Sequence, residues 1–153
     1  MILRSLIIFM VIITATKCKT VMYGEEITPI SSSISEDGVL FVKSWVFSSK
    51  IRDVRKIAKK NALEKVLFEG VPNSSVKRPL ITNPQMRNMN SKYFDNLFYD
   101  NGKINDFISV SSFESKDRIK VPGGWKYGVK CRIMYKALQR DLERNNIISK
   151  FGL

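Results

Sequence analysis

The chain has 153 residues, 44% hydrophobic and 26% charged, which suits one globular domain with its own core and excludes a chain that is disordered throughout. Lys and Arg number 26 against 14 Asp and Glu, a formal charge of +12, so the surface favours anionic partners. There is no histidine, and the cysteines are two, Cys18 and Cys131; this removes the commonest general base near neutral pH, the usual triad base and any zinc-finger spacing.

The chain opens MILRSLIIFMVIITATKCKT: one base at Arg4, an apolar run over residues 6–13, then small and polar residues up to Cys18. That is the n-, h- and c-region order of an export signal, and residues 1–18 are read as a signal peptide. The run is shorter than the roughly 20 apolar residues a membrane helix needs. Cys18 after an apolar run makes it a candidate for lipidation, although Lys17 stands where a lipid-attachment site wants a small residue. The alternative is cleavage nearby and release of a soluble protein. The expected location is exported, periplasmic or secreted, with membrane attachment only if Cys18 is lipidated or the signal is retained. Residues 19–37, with Pro29, a Ser triplet and acids, show no sustained period and read as a flexible leader.

Residues 39–47, VLFVKSWVF, are rich in β-branched and aromatic side chains on both faces and predict a strand. A helix follows over residues 51–69, its apolar stripe running through Ile51, Val54, Ala58, Ala62 and Val66. The alanines allow close approach to a sheet. Arg52, Arg55, Lys56, Lys59 and Lys60 line the outside of its first half, a cationic strip that reads first as a solvated helix face. Gly70 and Pro72 end the helix, one by left-handed capping and the other by refusing to continue it. Residues 71–90 then hold three prolines and no acid, and obey no period. So long a segment is either functional or disordered.

Residues 91–99 predict a short helix whose Tyr93, Phe94, Leu97 and Phe98 read as core rather than as a stacking site. Strands are predicted over 104–113, 118–121 and 125–135, the last two joined by a tight turn at 122–124. In the last strand Tyr127, Val129, Cys131, Ile133 and Tyr135 share the core face, while Lys126, Gly128, Lys130 and Arg132 share the other as a basic ladder, extended by Lys120. A final helix is predicted over 136–150.

These elements give an α+β domain over residues 38–153: a mostly antiparallel sheet of about four strands with two main helices on one face. The strand, the alanine-spaced helix and its VLFEGVP ending resemble a recurring small domain of the bacterial envelope. The terminal LQRDLERNNIISKFGL is similar to the closing helix of many exported proteins of Gram-negative bacteria. More distantly, the layout resembles the N-terminal domain of flagellar assembly protein T and the periplasmic part of the curli secretion channel. The resemblance implies an envelope location and an interaction or assembly role, and no catalytic residues.

The expected function is therefore a non-enzymatic exported binding or assembly module with a basic surface. Its partner is an envelope protein or an anionic envelope polymer, and its candidate contact residues are Lys77, Arg78, Lys120, Lys126, Lys130 and Arg132. No motif calls for a cofactor or a metal. Two alternatives stay open. One is a carboxylate-dependent hydrolase using Glu114 and Asp117. The other is a polyanion-binding protein; nucleic acid is disfavoured as its ligand because of the export signal.

Overall fold

A computed structural model describes residues 26–149, apart from residues 32, 100, 101 and 112. The signal peptide read over 1–18, and Cys18 with it, lie outside these residues. Five antiparallel strands and the helices on them make a mixed α+β fold, as the sequence leads one to expect. No helix among the described residues is long and apolar enough to cross a membrane.

The sheet is built around two long strands. β2 (Leu40–Ser48) and β5 (Gly124–Ile133) pair along their whole length, from Leu40 opposite Ile133 to Ser48 opposite Trp125. β1 (Glu26–Pro29) adds to the outer edge of β2. It lies within the segment read from sequence as a flexible leader, and that reading is corrected here. Ile27 is buried in the core, and Pro29, with no N–H to donate, is tolerated because β1 is an edge strand. The other edge of β5 is shared: β3 (Ile108–Val110) covers its C-terminal end and β4 (Arg118–Val121) its N-terminal end. Pro122 and Gly123 close the β4–β5 hairpin, with Gly123 at φ +83°, a value that proline followed by glycine is suited to supply.

One sheet face is dry. Leu40, Val42 and Val46 of β2 and Tyr127, Val129, Cys131 and Ile133 of β5 are all buried. Across them lies α1 (Val54–Phe68), which presents Val54, Ala58, Ala62 and Val66, all fully buried. The small residues bring the two layers into contact: the Cys131 thiol reaches to 3.9 Å from the Ala58 carbonyl oxygen. Burial pushes that thiol up to about 12, so Cys131 behaves as a small hydrophobe and not as a nucleophile.

Gly70 ends α1 at φ +83°, its N–H bonded to the Lys65 carbonyl at 2.7 Å. The segment after it is packed. Val71 N–H bonds back to Val76 O at 2.7 Å, and Ser74 Oγ donates to Val71 O at 2.7 Å. The chain then returns along the end of α1, where the N–H groups of Leu80 and Ile81 reach the otherwise unpaired carbonyls of Val66 and Leu67 at 3.2 and 2.9 Å. Val71, Val76, Leu80 and Ile81 are buried in the process. The absence of a sequence period over 71–90 reflects irregular backbone that still has a core side.

The short α2 (Met86–Met89) leads into α3 (Ser91–Phe98), whose Phe94 and Leu97 enter the core as expected. The strand predicted over 104–113 is a correction. Residues 104–107 form a helical turn, α4 (Ile104–Phe107), and only β3 is extended. Ile104 and Phe107, three apart, both point into the core, which a strand could not arrange, while Asn105 and Asp106 face water. The last helix, α5 (Tyr135–Arg144), is shorter than predicted. Asn146 takes a left-handed φ of +55°, and Ile147 N–H closes onto Leu142 O at 2.9 Å, which ends the helix and buries Ile147.

Candidate functional site

Side chains alternate across a strand, so burying one face of β2 and β5 turns the other outward. On β2 the outward row is Phe41, Lys43, Trp45 and Phe47; on β5 it is Arg132, Lys130, Gly128 and Lys126. The register sets these against each other in that order: Phe41 opposite Arg132, Lys43 opposite Lys130, Trp45 opposite Gly128, Phe47 opposite Lys126. Phe41 and Phe47 are each 38% exposed. Ile119, opposite Lys126 on β4, and Ile30, whose N–H bonds to Phe41 O, extend the apolar margin.

Gly128 makes the centre possible. A Cβ there would stand 3.0 Å from the Trp45 ring and 3.1 Å from Lys43 Cδ. With no side chain beneath it, the indole lies across β5. The ammonium groups of Lys126 and Lys43 sit 5.3 and 5.5 Å from its ring centre, a cation–π arrangement on both flanks.

Lys43 and Lys130 face each other directly, which would be repulsive if both stood alone. Each is matched by an acid from the 3-10 turn Ser115–Asp117 and its approach. Lys43 Nζ lies 2.7 Å from Asp117 Oδ1, and Lys130 bonds to Glu114, which also holds Lys116 at 2.6 Å. Lys126 is paired with Glu26 at 3.0 Å. Hydrogen bonds from Lys116 first and Lys130 second, with their charges, hold the Glu114 carboxyl down to about 2. Asp117 is only 4% exposed, and its Oδ2 has no hydrogen-bond partner among the described residues. Arg132 makes no ion pair among them. Five cations thus meet three acids on this face, with Arg132 the cation left over beside Phe41.

The residues singled out from the sequence divide three ways. Lys126, Lys130 and Arg132 come together on the open face. Lys120 does not join them: it stands opposite Trp125, on the same side of the sheet as Tyr127. Its neighbour Arg118 covers Trp125 on that side, 3.8 Å from the ring centre. Lys77 and Arg78 line a separate groove with Tyr135 and Ile147 beyond the end of α1. The aromatic row of β2 was missed as a site. Its signal was present: a strand apolar on both faces, in a domain with helices for only one of them.

No family model, curated protein or solved structure matches the chain. The functional reading therefore stands on this geometry. No group of three or more His, Cys, Asp or Glu among the described residues could hold a metal ion. Glu114 and Asp117, the carboxylates considered for hydrolysis, are both held by lysines. A carboxyl held down to about 2 is a poor proton donor near neutral pH.

Proposed function

We propose that the protein is a non-enzymatic binding module of the bacterial envelope, and that the open sheet face docks an acidic segment of a partner protein. The observation that carries this is the aromatic row Phe41–Trp45–Phe47, its two phenylalanines each 38% exposed, beside Lys126, Lys130 and Arg132 on the sheet face opposite α1. Aromatic residues and an arginine set among paired charges are the composition of a protein interface. The excess of cations selects an acidic partner and speeds its approach. The export signal over residues 1–18 and the resemblance to envelope assembly domains support the location.

A random copolymer of glutamate and tyrosine serves as a probe of this chemistry. Titrated into the protein at low salt, it should shift the amide resonances of residues 41–47 and 126–132 and quench Trp45. Phe41→Ser with Phe47→Ser should weaken it about tenfold, the worth of one or two buried aromatic anchors. Shifts confined to α1, or none at all, overturn the docking face. Location is tested separately by the intact mass of the mature protein from its native host. A chain trimmed near residue 18, with or without lipid on Cys18, agrees with export, and an untrimmed one contradicts it.

A further inference from the structure

The helix layer carries its own charged surface, on the far side of the molecule from the open sheet face. Arg55, Lys56, Lys59 and Lys60 recur at three- and four-residue spacing, so they share one side of α1, and Arg52 extends the strip from the 3-10 turn Ile51–Asp53 just before it. They form one wall of a groove of about 540 Å³. Phe98, Tyr99, Ile104, Ile108 and Val110 also line it, with the polar Asn105 and Ser109 among them. Past Lys60, Phe98 and Tyr99 the groove continues into a hollow of about 490 Å³ that Arg87 also lines. Part of this charge is matched: Asp53 lies 3.6 Å from the exposed Arg52, Glu64 holds Arg87 at 2.9 Å, and Asp95 lines the hollow, while Lys59 donates to the neutral Asn105 at 2.7 Å. Arg55 and Lys60 form no ion pair among the described residues. On the sheet, by contrast, every outward lysine has its acid.

The three most exposed large hydrophobic side chains among the described residues line these hollows or adjoin their lining residues in sequence. They are Met89 at 73%, Tyr99 at 70% and Ile51 at 55% exposed. Ile51 precedes Arg52 at one end. Tyr99 edges the groove where it meets the hollow, and Met89 follows in sequence Arg87 and Asn88, which line that hollow. A row of cations edged by isolated apolar and aromatic side chains fits a lipid surface: cations meet headgroup phosphates, and tyrosine, methionine and isoleucine enter the boundary between headgroups and chains. A flat nucleic-acid or glycan site has no use for a protruding methionine and isoleucine.

We infer that α1 and the α2–α3 side of its groove form a peripheral docking surface for an anionic phospholipid bilayer. The proposal does not depend on Cys18 or on the reading of the sheet face. It places the bilayer and the protein partner on opposite sides of the domain.

The test is co-sedimentation of the full chain with phosphatidylglycerol vesicles and with phosphatidylcholine vesicles. Binding is expected to the first and not the second. It should fall at least tenfold between about 50 mM and 500 mM salt, as headgroup contacts become screened. Arg55→Gln with Lys59→Gln and Lys60→Gln should reduce it about tenfold or more, each cation acting near the surface. Met89→Ser with Tyr99→Ser should reduce it as well. Circular dichroism confirms that each variant is folded. Lys126→Gln with Lys130→Gln should leave vesicle binding unchanged, which separates this surface from the sheet face. Equal binding to both vesicle types that ignores salt and the α1 variants assigns it to the apolar run at residues 6–13 and overturns the proposal. No binding to either overturns it too, as does tighter binding of a single-stranded oligonucleotide at the same α1 residues.

Discussion

Gly128 stands in the outward row of β5 where every neighbour in that row is a cation, and Trp45 lies over it. Two effects compete in Gly128→Val. A β-branched residue suits a strand by up to about 1 kcal/mol. Against that, its methyl groups must displace an indole already at 3.0 Å from the Cβ position, and overpacking of that kind costs about 1–3 kcal/mol. The loss should win. In a Trp125→Phe background, which leaves Trp45 as the only tryptophan, the urea midpoint should fall and the emission shift to the red. A higher midpoint with unchanged emission would mean that the ring does not rest on Gly128. Glu114 offers a second check. Its carboxyl is held down to about 2, with Lys116 the first cause, so Lys116→Gln should raise it toward the ordinary value near 4.3, read by NMR titration. None of this pairing was legible in the chain. Asp117 sits 74 positions from Lys43 along the sequence, it and Glu114 look like solvated turn acids, and only the tertiary fold brings Asp117 to Lys43.

The end of α1 shows what a whole element adds. Gly70 and Pro72 announce the helix stop in the sequence, and the helix does stop there. The sequence by itself calls for Gly70 on the ground of backbone angle alone. A Cβ at that position would also stand 2.3 Å from the Lys77 carbonyl oxygen, because the following loop folds back against the cap. Gly70→Ala therefore meets left-handed strain of about 1–2 kcal/mol and a backbone clash on top of it. Loss of at least about 2 kcal/mol in urea unfolding is expected, together with faster hydrogen exchange at Leu80 and Ile81, whose N–H groups cap the helix. A neutral substitution would show that the loop moves freely. The α4 turn was misread for a related reason. Ile104 to Val110 is apolar enough for a strand, and the choice of a helical turn is made by α1 and α5, against which Ile104 and Phe107 must both be buried.

At the scale of the molecule, pH should act mainly from the alkaline side. The chain has no histidine, so no side chain with an ordinary pKa between about 6 and 7 titrates, and the unfolding midpoint should be nearly flat between pH 6 and 8. Cys131 is pushed up to about 12 by burial. Tyr93 is raised by burial and by its hydrogen bond to the Asp141 carboxylate at 2.7 Å. Both groups are neutral in the folded state. Their contribution is complete below the unfolded-state pKa values of about 8.5 and 10, and is lost as pH rises above them toward the folded values. Stability measured by urea should therefore begin to fall near pH 8.5 and keep falling to about pH 12, and Cys131→Ala should remove the earlier part of the decline. A midpoint that does not move across this range would contradict the burial of both groups.

Composition and periodicity by themselves determined the α+β class, the amphipathic α1 with its terminator, the inward and outward rows of β5, and the lack of histidine chemistry. These are local matters, set by side-chain alternation, helical spacing and backbone allowance. The tertiary structure decided which charges are neutralised and which are not. Lys43 and Lys130 of the sheet face acquire acids from the turn before β4 and Lys126 acquires one from β1, whereas Arg55 and Lys60 on α1 form no ion pair among the described residues, because charge pairing depends on distances in space that the tertiary fold sets.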